Sequence, residues 1–500
     1  MTLFILLYLW VGLTSTYAHV CPRYCECDDN VTRVYCYTGS LNTTHFYKIL
    51  QQLPVNIVEL HISAPSNKSN FFKWNDNLNR LTNLRKLSLI NCNIPAISQR
   101  LRIRSLVSLN LQHNKIETLQ MDSFNGIHNL ETLELSYNKI SILPSGCFVF
   151  LKNLKSLSVS HNPIKDLPSN FLHGPKQVQK LELDGLQVPI DQLNQLLETQ
   201  QNLERLELNF CSIDDTKVSR LWLHKVPKIV RFGLGGNNLT TIPSHKLRDL
   251  PHLQTVDLSY NKIRKVNACA FCSCNITTIY LGHNLLGIDD VSLNVESFAH
   301  VKVETLDLSF NFFDNFHSDL LGRARYSIKS LDLSGNTLTV PKSAFIEKLP
   351  NLRELHLASN HLEVLPSVWP IEYSSLIFLN LSHNYIKHVP SSFSHSFPFL
   401  KTLDISNNEI NYLDSHLTTF LTEMTQTIYL DNNPWDCSCA DNGIQKYFKL
   451  RRIISPRTEL TLCAYPEEVK NLPVHKVSKI SDCALLFGGS YQLTQVTLIF

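Results

Sequence analysis

Residues Leu84–Ile94 read LRKLSLINCNI, and the same beat returns as LVSLNLQHNKI (Leu106–Ile116), LETLELSYNKI (Leu130–Ile140) and LKSLSVSHNPI (Leu154–Ile164). Each segment fits L-x-x-L-x-L-x-x-N/C-x-L. The asparagine-or-cysteine position, here called the ladder position, falls at Pro65 (a poor match), Cys92, Asn114, Asn138, Asn162, Leu186, Cys211 and Asn237. It continues at Asn261, Asn284, Asn311, Asn336, Asn360, Asn384, Asn408 and Asn433, at spacings of 22 to 27 residues, most often 24. Sixteen registers in phase mean that one supersecondary unit is repeated. In each unit the L-x-L places two leucines inward on a short strand and sends the residues between them outward. A single unit cannot cover its apolar face, so neighbours must stack around one core. The ladder asparagine points inward and has to bond the backbone of an adjacent turn, because an unpaired buried amide is costly. Cysteine is small, buriable and a weak donor, which accounts for Cys92 and Cys211 without any reactivity. A phenylalanine follows many ladder positions by about ten residues (Phe124, Phe148, Phe171, Phe271, Phe345, Phe393) and fills the core opposite the strands.

The expected fold is therefore α/β: a leucine-rich-repeat solenoid, or horseshoe, of about 16 repeats with a concave parallel β-sheet. A net charge of +3 over 500 residues gives no electrostatic footprint for nucleic acid, and neither a basic arm nor an acidic tail is present. HExxH, GxSxG and phosphate-cradling glycine loops are absent, and the twenty histidines follow the repeat instead of converging. The sequence thus implies no enzyme, no cofactor and no metal.

The first residues, MTLFILLYLWVGLTSTYA, have an apolar run followed by small residues and read as a signal peptide, 1–18, cleaved after Ala18. No later segment approaches the ~20 apolar residues that a membrane span needs. The mature chain is expected to be secreted or extracellular, in an oxidising compartment, and associated with the cell surface if a partner or the tail retains it. Six sequons, at Asn30, Asn42, Asn67, Asn238, Asn275 and Asn380, are candidate glycosylation sites. Midway lies NACAFCSCNITT, with Cys269, Cys272 and Cys274 inside six residues. Register places Cys274 where sister repeats bury Ile127 or Leu151, and Cys269 and Cys272 where sisters face solvent. This is read as a local Cys269–Cys272 disulfide with Cys274 buried and reduced. A three-thiolate metal site would lack a nearby fourth ligand.

At the ends stand CPRYCECDDNVTRVYC, with Cys21, Cys25, Cys27 and Cys36, and NPWDCSC followed by Cys463 and Cys483. Spacing alone leaves three pairings open for each set of four. These segments resemble the cysteine-rich caps of extracellular leucine-rich-repeat proteins, a group that includes Toll-like receptors, Slit proteins, lamprey variable lymphocyte receptors and matrix proteins. The resemblance implies Cys21–Cys27 and Cys25–Cys36, then Cys437–Cys463 and Cys439–Cys483. It divides the chain into an N-terminal cap (19–52), repeats (53–432), a C-terminal cap (433–483) and a short tail (484–500). The tail, ALLFGGSYQLTQVTLIF, is short and polar for a lipid-anchor signal. The membrane span and signalling domain of Toll-like receptors and the stalk of the lamprey receptors have no counterpart. The resemblance implies recognition of a protein or a microbial surface ligand, in innate immunity, adhesion or guidance. From Toll-like receptors alone comes the further implication of dimerisation on ligand binding. The alternatives are a structural matrix protein and the ectodomain of a membrane receptor.

Two columns should line the concave face. The residue between the strand leucines is acidic at Glu134, Glu182, Glu207, Asp257, Asp307, Asp332 and Asp404. The residue before the ladder position is aromatic or histidine at His113, Tyr137, His161, Tyr260, His283, Phe310 and His383. Both columns also arise from common repeat forms. The pattern departs most from its own average in KLELDGL, RLELNFC and RFGLGGN, so the ligand surface is placed there: Lys180, Glu182, Asp184, Arg205, Glu207, Asn209, Phe210 and Arg231. Arginine and aromatic residues are favoured at binding hot spots. Replacing Arg205 and Arg231 by glutamate is expected to abolish binding. A glycan on Asn380 would project from the same face, and the basic run Lys449–Arg452 is more simply a solvated helix face.

Overall fold

The computed structural model describes residues 21–272, 275–289, 292–339, 349–366, 375–423, 426–438, 443–450, 456–478 and 497–498. The expected signal peptide, Cys274, Phe345, the Cys439–Cys483 pair and almost all of the tail lie outside the described residues.

Among the described residues eighteen short strands belong to one hydrogen-bonded sheet, which makes the fold a repeat solenoid. The chain packs as two compact units, one running to Leu181 with Leu186–Gln192, the other comprising Glu182–Gly185 and Leu193 onward. The division falls in the repeat whose ladder position holds Leu186 instead of asparagine.

In the first unit, β1 (Glu26–Cys27) and β2 (Arg33–Cys36) form an antiparallel hairpin. Asp28 closes it by accepting from the Thr32 amide and hydroxyl and from the Arg33 amide, and these bonds hold its carboxyl below the usual value. Disulfides join Cys21 to Cys27 and Cys25 to Cys36. β2 then pairs in parallel with β3 (Glu59–Ser63), the first strand of a parallel run through β4 (Lys86–Ile90), β5 (Ser108–Asn110), β6 (Thr132–Glu134) and β7 (Ser156–Ser158). β8 (Lys180–Glu182) contains the division between the units.

The second unit repeats the arrangement. It contains β9 (Arg205–Glu207), β10 (Arg231–Gly233), β11 (Thr255–Asp257), β12 (Thr278–Tyr280) and β13 (Thr305–Asp307). These are followed by β14 (Ser330–Asp332), β15 (Glu354–His356), β16 (Phe378–Asn380), β17 (Thr402–Asp404) and β18 (Thr427–Tyr429). Every neighbouring pair is parallel and in register, leucine opposite leucine or its apolar substitute. Beyond β18, Trp435 is fully buried with its indole N–H on the Leu430 carbonyl at 2.9 Å, and Cys437 is bridged to Cys463.

The ladder works as one repeated device. Asn261 donates to the carbonyls of Leu234, Leu258 and Ser259 and accepts from the Leu239 amide at 3.0 Å. Cys211 substitutes by directing its thiol at the Leu183 and Asn209 carbonyls, each 3.3 Å away. Burial pushes the Cys92 and Cys147 thiols up to about 12, so both are inert packing groups. The first repeat differs from its reading in sequence. Proline at position 65 has no N–H and lies exposed, and the chain loops out so that Asn70, fully buried, takes the ladder role. Its side chain accepts from the Leu41 amide at 2.8 Å and faces the Cys92 sulfur. Opposite the strands, Phe124 stacks on Phe148 and Phe271 on Phe298.

Candidate ligand-binding face

The acidic column is largely absorbed by the fold. Asp257 accepts from the Ser259 amide and hydroxyl, Asp307 and Asp332 from the amides of Ser309 and Ser334, and Asp404 from both donors of Ser406. An aspartate two residues before a serine caps the turn that ends each strand, a local bond that competes well with any ligand.

Seven of the eight singled-out residues lie in the second unit, and six of them form one network; Lys180 belongs to the first unit. Glu207 on β9 is only 2% exposed, yet it has a guanidinium on either side. One carboxylate oxygen accepts from Arg205 Nε at 2.8 Å and from Arg231 Nε at 2.6 Å, and the other accepts from Asn209 Nδ2 at 3.1 Å. Arg205 also reaches Glu182 at 3.4 Å, and Arg231 lies 6.0 Å over the Tyr280 ring. Burial opposes the charge on Arg231, but Glu207, with Asp257 and Tyr280, more than offsets it, and its pKa stands above the ordinary arginine value. Asn209 Oδ1 accepts from the Gly235 amide, and the Asn209 amide donates to Asp184 at 2.8 Å.

Glycine at position 233 makes this possible. A Cβ there would sit 1.8 Å from the Glu207 carboxylate, so the missing side chain is the space in which Glu207 lies across the next strand. Gly233→Ala is expected to expel Glu207 from between its arginines and to cost about 2 kcal/mol or more, by overpacking and by breaking a buried pair. Urea unfolding measures this, and an unchanged midpoint refutes it. The geometry also changes the meaning of the double variant Arg205→Glu/Arg231→Glu, since removing both guanidinium groups would destroy the network as well as any contact.

Asp184 carries a pH signature. Burial pushes its carboxyl up to about 6, the Asn209 amide works against this, and Glu207 and Glu182 add to it. Its folded pKa exceeds the ordinary 3.8, so the folded chain holds a proton that the unfolded chain releases. The contribution is full below the ordinary value and is lost as pH rises through about 6. Asp184→Asn keeps an acceptor for Asn209 and removes the titration. It should be more stable than the parent at pH 7, with the difference vanishing toward pH 4. Melting curves that stay parallel across that range contradict the assignment.

The column before the ladder forms stacked rings. In the second unit Phe210, Tyr260, His283, Phe310 and His383 all have φ between +47° and +57°, a left-handed turn that swings each ring outward and along the stack. The Tyr260 ring is centred 3.9 Å from that of His283, and His283 4.3 Å from Phe310, the stacked planes nearly parallel. The rings of Phe210 and Phe310 rest where glycines 236 and 335 have no side chain, for a Cβ there would be 2.2 Å and 2.4 Å from them. Phe210 reaches Tyr260 at 6.4 Å across that gap. The result is an apolar stripe with Phe210, Tyr260 and Phe310 each about half exposed. The first unit has its own stack, His113–Tyr137–His161, in which burial, helped by His113, lowers the His161 pKa.

The remaining sites are placed as follows. Cys269 and Cys272 are bridged. Asn30, Asn42, Asn67, Asn238 and Asn275 are exposed, whereas Asn380 on β16 is half-buried. Of the basic run, the side chains of Lys449 to Arg452 fall outside the described residues. Among the described residues, no group of three or more His, Cys, Asp or Glu side chains converges as a metal site, and no helix is long and apolar enough to cross a membrane.

This architecture defines a class: a leucine-rich-repeat solenoid with disulfides near both ends. The leucine rich repeat family model matches residues 104–164, 227–286 and 350–410, so these three segments carry the repeats of that family. A leucine-rich-repeat protein of Leptospira interrogans superposes with a TM-score of 0.57 at 24% identity, covering 82% of this chain and 97% of that one. Mouse RP105, solved in complex with MD-1, superposes with a TM-score of 0.56 at 16% identity, covering 90% and 94%. At these identities the likeness is one of fold. Human trophoblast glycoprotein is 32% identical over 72 residues, which is 14% of this chain; the chain spans 17% of that relative's length.

Proposed function

We propose that this protein is an extracellular recognition molecule that binds a protein ligand on the strand face of its second unit. The observation that carries the reading is the exposed ring stripe Phe210–Tyr260–His283–Phe310, alongside the Arg205–Glu207–Arg231 network. A fold gains nothing by keeping large rings half in water, whereas rigid aromatic residues beside arginines are the usual anchors of an interface. The turn geometry and ring stacking fix the rings before a partner arrives, which reduces the ordering cost of association. The network holds its arginines in place as the polar border of the same surface. A glycan on Asn380 would limit the contact to strands before β16. Export, glycosylation and dimerisation on ligand belong to this reading as proposals, as does a role in innate immunity or adhesion. Mouse RP105, in complex with MD-1, is an instance of this fold holding a partner.

The test is to secrete the full chain from animal cells, assay medium and washed membranes separately, and capture partners from serum, matrix and microbial extracts. A protein species held by the parent and lost by Tyr260→Asn/Phe310→Asn supports the reading. The same species held by both refutes it.

A further inference from the structure

Away from the strand face, the second unit has a surface cleft of about 640 Å³ lined by His300, Val301, Lys302, Arg323, Tyr326 and Ser327. We infer that this cleft is a binding site for a sugar bearing an oxyanion, a sulfated or phosphorylated saccharide. No lining residue is acidic, whereas a comparable cleft in the first unit is lined by Arg100 and Arg102 together with Asp76 and Asp122, with Arg100 paired to Asp122.

The nearby carboxylates are already engaged. Glu304 pairs with Lys329 at 2.8 Å, and Asp319 pairs with Arg325 and faces His317. Neither Lys302 nor Arg323 has an acidic partner among the described residues, and both are exposed, as is His300. Lys302 and Arg323 line one concavity without a counter-charge, and an oxyanion that neutralises them is bound with charge-assisted hydrogen bonds.

Lys302 stands three residues before its strand, a position that holds Lys228 ahead of β10 and Asn129, Asn153 and Asn351 in three other repeats. Each of those asparagines donates its side-chain amide to a carbonyl of the preceding turn. A lysine there leaves that ladder and delivers a charge to the surface instead. Tyr326, 53% exposed, supplies a ring held by Arg325, whose guanidinium bonds its hydroxyl at 3.0 Å. A flat ring beside these cations suits the apolar face of a sugar carrying an anionic substituent, and the cleft volume lies within the range of small-ligand sites.

The test uses the full secreted chain, with a size-defined heparin oligosaccharide in one arm and glucose 6-phosphate in the other, by calorimetry at two salt concentrations. Lys302→Ala/Arg323→Ala should weaken binding at least about tenfold in whichever arm binds, with a shallower salt dependence. Tyr326→Ser should weaken it less and Tyr326→Phe least. Lys86→Ala/Lys155→Ala removes two lysines that are paired with Glu59 and Glu131, and should change affinity less than about twofold, as exposed pairs contribute little. Binding in the heparin arm alone identifies a sulfated source, and binding in the other a phosphorylated one. No binding in either arm, or equal losses in the two double variants, overturns the inference.

Discussion

Replacing Tyr260 and Phe310 together by asparagine is expected to weaken capture of the protein ligand by about a hundredfold or more, because truncating two central anchors typically removes ~2 kcal/mol or more each. The fold should tolerate the change. Both residues sit at left-handed φ, near +50°, where asparagine is better accepted than an aromatic residue. Sister repeats already place Asn407 and Asn432 there, at φ 54° and 55°. The melting temperature should therefore hold or rise slightly while binding disappears. Retained affinity with an unchanged fold would remove the ring stripe from the interface. Loss of both would mean the stack is structural.

Asn261→Leu should act on the fold. The carbonyls that Asn261 serves have other donors: Leu234 O is also bonded by Asn237, and Leu258 O by Asn284. Among the described residues the Leu239 amide has one acceptor, the Asn261 side chain, and the leucine leaves it buried without that acceptor. Together with the lost bonds this should cost about 2–4 kcal/mol. In a stacked-repeat protein the effect should begin locally. Hydrogen exchange at Leu239 and its neighbours should accelerate before the global urea midpoint moves by the full amount. Unchanged protection at Leu239 would mean that water or a backbone shift replaces the amide.

How much of this could be read in advance depended on how local each determinant is. The repeat register, the parallel sheet and the inert ladder cysteines follow from spacing, because each repeat must bury the same two leucines and satisfy the same turn. The first ladder residue escaped, since only the folded loop shows that Asn70 comes round to the place counted to Pro65. The patch at Arg205, Glu207 and Arg231 was visible as a departure from pattern, but its internal pairing was not. Arg205 and Arg231 are 26 residues apart in the chain, and they meet because parallel pairing sets them side by side.

What the sequence by itself determined is the repeating part: solenoid class, strand positions, buried ladder and core phenylalanines, all consequences of period and polarity along the chain. Only the tertiary structure decided which side chains are left to a ligand. It showed the aspartates capping their own turns, Glu207 filling the space above glycine 233, and a left-handed turn stacking Tyr260, His283 and Phe310 into a stripe. The physical reason is lateral: these contacts run between neighbouring strands, at distances set by sheet spacing and backbone φ, and no period along the chain encodes them.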